Sequence, residues 1–203
     1  MITDTNRLAL TDDEAAAVAL HANGAWRTPL PTVDETDEAD LASAILRGRR
    51  SLVIRELGQP DGTVTGEAAE VLMRLGNGPC AAFMLVDGDG NWVPTGPTVY
   101  LYGPATDDVE MSHVVAAAGV HYFRVTPPPR QWFALTELAE AVFADGFTAA
   151  ADGAQQPAAA LLSAARETHT RIVRVAQGEA STTQGPEPFA FASVAQAVGW
   201  LLS

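Results

Sequence analysis

The stretch Cys80-Ala81-Ala82-Phe83-Met84-Leu85-Val86 runs directly into Asp87-Gly88-Asp89-Gly90-Asn91. A short apolar run that stops at a cluster of Asp, Gly and Asn reads as a buried β-strand ending in a hairpin turn. The same five residues also begin like a calcium loop, with oxygen ligands on alternate positions. That template needs glycine at its sixth position and glutamate at its twelfth, where Trp92 and Thr98 stand. The turn reading is therefore preferred.

Outward from this strand the β character continues. Thr98 to Tyr102, Met111 to Val115 and Val120 to Val125 read as strands, the last two joined at Gly119. Residues 79 to 126 are thus expected to form an antiparallel sheet. Upstream the pattern is helical. Thr11-Asp12-Asp13-Glu14 is a capping box that opens a helix, and Asp12 and Asp13 are read as solvated partners of the helix dipole. A second helix follows the acidic start at Asp34 to Asp40, with Gly48 as an interruption or cap, and Ser51 to Leu57 is read as helix. Pro60-Asp61-Gly62 is a turn, Thr63 to Thr65 a brief extended piece, and Glu67 to Leu75 another helix.

Downstream, Pro127-Pro128-Pro129 is a stiff connector. It is followed by a helix from Trp132 to Phe143, a helix opened by Pro157, a strand at Ile172 to Val175, a loop from Gly178 to Pro188, and a helix from Ser193 to Leu202. The expected fold class is α+β: N-terminal helices, a central antiparallel sheet and a helical C-terminal part. Residues 1–126 would form one lobe and residues 127–203 another.

Composition narrows the chemistry. The 203 residues carry 25 acidic against 12 basic side chains, a formal charge of −13. Such a surface repels phosphate backbones and anionic headgroups, so neither nucleic-acid binding nor peripheral membrane binding is expected. Every basic residue is arginine, which removes Schiff-base chemistry and the phosphate-binding lysines of nucleotide sites. The strongly apolar runs fall short of a membrane span, and the first ten residues lack a signal-peptide core. A cytoplasmic protein is expected.

No residue pattern points to catalysis. Cys80 is the single cysteine and opens an apolar strand, which reads as a buried, inert thiol. His113 and His121 lie on neighbouring strands. They are read as separate sheet positions with ordinary hydrogen bonds, in preference to a facing pair that holds a metal. No catalytic residue, metal or cofactor is expected. Trp92, Tyr100, Tyr102, Tyr122 and Phe123, with Met84 and Met111, give the sheet an unusual share of interface-type side chains. Tyr100 and Tyr102 share a face. Either these residues anchor a partner or they pack the sheet on its own helices.

The order of Leu10-Thr11-x-x-Glu14-Ala15, the Ala42-to-Leu57 helix with Gly58, the Gly62-Thr63-Val64 turn, the Glu67-to-Leu75 helix and the strands Cys80-to-Val86 and Val120-to-Val125 resembles the EspG family. These are cytosolic chaperones of type VII (ESX) secretion in actinobacteria, and the resemblance covers about residues 8–126. It implies a non-enzymatic protein that binds a helical secretion substrate of the PE–PPE type and keeps it soluble for export. By position it implies that Trp92, Tyr100, Tyr102, Trp132 and Phe133 lie near that partner. The rival expectation, from charge alone, is an acidic immunity protein that blocks a basic toxin.

Overall fold

A computed structural model of the chain describes residues 7–22, 26, 28–75, 80–91, 93, 98–102, 110–126, 130–146, 157–166, 169–184 and 189–202. In chain order the elements are β1 (Arg7–Thr11), α1 (Asp12–Ala19), α2 (Glu38–Ile54), α3 (Gly66–Leu75), β2 (Cys80–Val86), β3 (Thr98–Tyr102), β4 (Glu110–Ala116), β5 (Val120–Thr126), α4 (Arg130–Asp145), β6 (Ala159–Arg166), β7 (His169–Ala176), β8 (Glu179–Thr182), β9 (Phe189–Ala190) and α5 (Val194–Leu202). The chain is mixed α+β with antiparallel strand pairing. Among the described residues no helix is long and apolar enough to cross a membrane. Two compact units result, Met1–Gly78 with Tyr102–Pro127, and Pro79–Leu101 with Pro128–Ser203.

In the first unit β5 lies between β1 and β4. Leu8 stands opposite Phe123 and Leu10 opposite His121, while His113 stands opposite Phe123. Alternation then sends Leu8, Leu10, Met111, His113, Val115, His121 and Phe123 to one face, and all are buried;. Strand β1 is an addition to the sequence reading, which placed no strand before α1. Thr11 ends β1 and caps α1 at once: its Oγ1 accepts from Glu14 N at 3.3 Å, and Glu14 Oε2 accepts from Thr11 N at 3.0 Å. The capping box is realised as read.

Helix α2 runs unbroken across Gly48 and takes in most of the Ser51–Leu57 stretch. Gly48 neither interrupts nor caps it. An ideal Cβ at this position would lie 1.8 Å from the carbonyl oxygen of Asp13, so the glycine is the point where α2 crosses the backbone of α1. Ala15, Ala16 and Ala44 are also small and buried there, with Leu30 and Val33 closing the cluster and Trp26, Leu41 and Ile45 packed against it. Small side chains on both helices let the axes approach closely.

In the second unit the strands follow the order β3-β2-β6-β7-β8-β9. This corrects two expectations for the C-terminal region. The segment after Pro157 is strand β6, not a helix, and pairs in full with β2, from Cys80 opposite Ala165 to Val86 opposite Ala159. Its alanines favour helix in isolation, but the run has strands on both sides and buries Ala160, Leu162 and Ala164 on alternate positions. Pairing outweighs local propensity. The supposed loop from Gly178 likewise contains β8, joined to β7 by the two-residue turn Gln177-Gly178. Gly178 sits at φ +69°, the left-handed conformation such hairpins need. Helices α4 and α5 do form where expected and pack on β6 and β7. Asp87 spends its carboxylate on its own turn, accepting from the amides of Asp89 and Asn91 at 2.9 Å each. That is the hairpin chemistry, not a cation loop. The triproline connector lies outside the described residues.

The crossing at Gly48 is directly testable. Gly48→Ala is expected to lower the free energy of unfolding by about 1–3 kcal/mol or more through overpacking. Gly88→Ala, where an added Cβ meets nothing within 4 Å, should change it by less than about 0.5 kcal/mol. Denaturant titration of both variants reads the difference.

Candidate functional site

Two features of the first unit could carry function, and they lie on opposite faces of β5. One is a buried polar chain. The other is an open sheet face.

The buried chain begins at α1. Successive helix residues point about 100° apart, so the acidic run separates into three directions. Asp13 faces outward and binds Arg47 in a two-pronged ion pair, at 2.7 and 2.8 Å. Glu14 is buried and, besides its capping role, accepts from Ser51 Oγ and Arg55 Nη1, each at 2.6 Å. Asp12, only 1% exposed, points into the sheet. Its Oδ2 accepts from the Thr32 amide at 2.5 Å and the Thr32 hydroxyl at 2.7 Å, and its Oδ1 meets His121 Nε2 at 2.7 Å. Asp12 is therefore no solvated partner of the dipole, as the sequence reading had it. Burial opposes its ionisation, yet the bonds from His121 and Thr32, with the charge of His121, outweigh that and hold the carboxyl below its ordinary range;.

The chain continues through the histidines. Residues 113 and 121 share a face of adjacent strands, and His121 Nδ1 meets His113 Nε2 at 2.8 Å. They are thus a facing pair, not the separate sheet positions expected. Trp26 lies tilted against both, with ring centroids 5.5 Å away, and Phe123 stacks on His113 at 4.0 Å. Burial first, and then the charge of His121, push the His113 imidazole well below its ordinary value.

An Asp–His–His chain has the parts of a proton relay, but both rings are fully buried. A general acid or base must come within hydrogen-bond reach of a reacting group, and the hydrogen bonds described for these rings run to each other and to Asp12. The two facing nitrogens are also directly bonded, closer than the roughly 3.3 Å between two tetrahedral zinc ligands. Among the described residues no three metal-capable side chains converge. A shallow groove over Leu8, Val71, Phe123 and Val125, with Glu67 and Glu70 at its rim, offers about 20 Å³, the room of one water.

The other face of the sheet is different. Register places Ala9, Tyr122 and Val114 in one row across the three strands, and Thr11, Val120 and Ala116 in the next. Arg7, Arg124 and Ser112 form the row on the other side. Tyr122, on the middle strand, is 51% exposed, and the apolar positions around it are partly exposed. Helix α1 touches the opposite face through Asp12 and His121. The ring is thus half open although its strand is paired on both sides.

The residues expected near a partner are distributed otherwise. Tyr100 and Tyr102 are 5% and 1% exposed, on a strand buried along its whole length. The open-face expectation is corrected for both: β3 is sealed on either side, so its rings serve the core. Trp92 and the side chains of Trp132 and Phe133 lie outside the described residues, as does the Cys80 side chain; Trp132 and Phe133 belong to α4. Tyr122 was noted among the sheet aromatics but not singled out. The signal was the alternation His121-Tyr122-Phe123, with a polar-tipped ring between two buried ones. No family model matches the chain, and no curated protein matches it.

The two faces should respond oppositely to substitution. Asp12→Ala leaves His121 and Thr32 without their acceptor and is expected to cost about 3 kcal/mol of stability. Tyr122→Ser should stay within about 0.5 kcal/mol of the parent. Thermal or denaturant unfolding of the pair is the measurement.

Proposed function

We propose that the chain is a non-enzymatic adaptor or chaperone that binds another protein through the open sheet face around Tyr122. The supporting observation is that half-exposed residue on a strand paired on both sides, flanked by Ala9, Val114 and Val120. Tyrosine supplies a large, stiff contact area with a polar tip, and small apolar neighbours let a helix lie close against it. The sealed state of the Asp12–His121–His113 chain favours a structural role for the most chemistry-like residues.

The particular partner proposed is a helical type VII secretion substrate of the PE–PPE type, held soluble until export. This rests on the resemblance of residues 8–126 to the EspG family and on the partly exposed apolar positions around Tyr122. The negative charge of −13 would keep the complex dispersed.

Co-expression with a PE–PPE-type pair, followed by size exclusion, tests the reading. One shared peak is expected, with Tyr122→Asp weakening the complex at least tenfold while leaving the fold intact. Separate peaks for the parent protein would overturn the secretion-chaperone reading. Binding to a basic toxin that fades steeply with added salt would instead favour the acidic immunity protein, since screening weakens charge-driven association far more than apolar contact.

A further inference from the structure

Helix α2 is buried on one side only. Ala44, Gly48 and Leu52 face the interior, where α1 crosses at Gly48. Successive residues turn by about 100°, so the opposite side is centred on Leu46. That leucine is 56% exposed and stands at the midpoint of the 17-residue helix. Ala39 and Val53 lie two turns to either side of it, almost in line, with Ala42, Ser43, Arg49 and Arg50 on the flanks. Val53 is partly covered and the others are exposed. Ala39, Leu46 and Val53 thus repeat at the period of a helix that packs along another helix. Ile54, 83% exposed, extends the apolar strip at its C-terminal end.

Charge is divided along the same helix. Asp34, Glu35, Asp37, Glu38 and Asp40 crowd its start, and Arg47, Arg49 and Arg50 lie past its midpoint. Arg47 is held by Asp13. Among the described residues neither Arg49 nor Arg50 has an ion-pair partner.

We propose that two copies of this chain associate through an antiparallel, two-fold pairing of α2 centred on Leu46. In that arrangement Leu46 meets its own copy and Ala39 meets Val53. Ala42 faces Arg50 and Ser43 faces Arg49, so small side chains leave room for the arginine stems. Each Arg50 then lies one turn from the second copy's Glu38 and can reach it. Parallel pairing would set arginine against arginine. The face is therefore complementary to itself in apolar shape and in charge, as a two-fold interface must be. A foreign helix would need the same strip and the same charge order, which a second copy carries by construction.

The size of the face fixes the strength. A helix of 17 residues is about 25 Å long, and two such helices bury less than the ~1,200 Å² of a standard interface. The dimer is reversible, with a Kd on the order of 10–100 μM. Each copy carries −13, so whole-molecule repulsion opposes association until salt screens it; near 0.15 M the screening length is about 8 Å. Contact pairs such as Arg50 with Glu38 survive that screening better than distant repulsion does.

Sedimentation velocity of the full chain alone, in about 0.15 M salt and from about 1 to about 200 μM, tests this. A shift from monomer to dimer across that range is expected. Leu46→Glu sets two like charges on the axis and should raise Kd at least tenfold. Glu38→Arg and Arg50→Glu should each weaken the dimer several-fold, and the double variant should regain most of the loss. All of these positions are exposed, so the fold is kept. Mild oxidation of Leu46→Cys should give a peptide linked through position 46 to its own copy, because the axis passes there. A parent protein that stays monomeric throughout the range would overturn the inference. So would a dimer indifferent to Leu46→Glu, a double variant weaker than either single one, or oxidation without the 46–46 link.

Discussion

A single buried carboxylate organises the first unit. Asp12 sits where an apolar interior would expel an ion, and it stays because three donors converge on it from two other parts of the chain. Each bond to an ionised acceptor is stronger than a neutral one, and losing any of them would leave part of the desolvation penalty unanswered. The consequence is positional. The start of α1, the loop at Thr32 and the β4–β5 turn can close only in one mutual arrangement. Gly119 shows how tight that arrangement is, at φ +73° with no room for a Cβ.

The three acids of the capping run divide the work of holding this arrangement. Asp12 reaches the sheet, Asp13 the outer side of α2, and Glu14 the inner side of α2 through Ser51 and Arg55. One turn of helix thus ties down a sheet and a second helix at once. The close crossing at Gly48 makes the reach possible, because an ordinary side chain there would push α2 off the backbone of Asp13. Here Glu14 is at once the reciprocal partner of a cap and the acceptor of a charged bond from Arg55.

Local chemistry made much of this readable before any coordinates. The capping box, strand Cys80–Val86 with its Asp-Gly turn, strand Thr98–Tyr102 and the strands on either side of Gly119 are all short-range patterns. What escaped reading depends on distance along the chain. Asp12 and His121 are 109 residues apart, and nothing near Asp12 distinguishes a buried carboxylate from one that caps in water. The Ala-rich run after Pro157 has helical preferences, and only the offer of two neighbouring strands turns it into β6. Tyr100 and Tyr102 alternate properly for a half-open sheet, yet β3 is covered on both faces. Exposure passes instead to Tyr122, the position between His121 and Phe123.

The same ion pair that secures Glu14 also bears on how the first unit can meet another protein. Within that unit β1 is an edge strand, bonded to β5 on one side only. An open edge invites a foreign strand. Here Arg55 Nη2 donates to Ala9 O at 2.9 Å, and Glu14 takes the amide of Thr11. Two of the outward-facing backbone groups of a five-residue strand are therefore already engaged. Strand addition at β1 would have to compete with Arg55 Nη2 for Ala9 O and with Glu14 for the Thr11 amide, whereas covering the face bearing Tyr122 touches neither bond. Contact through the face would leave the described bonds of Asp12, Glu14 and the histidine pair intact.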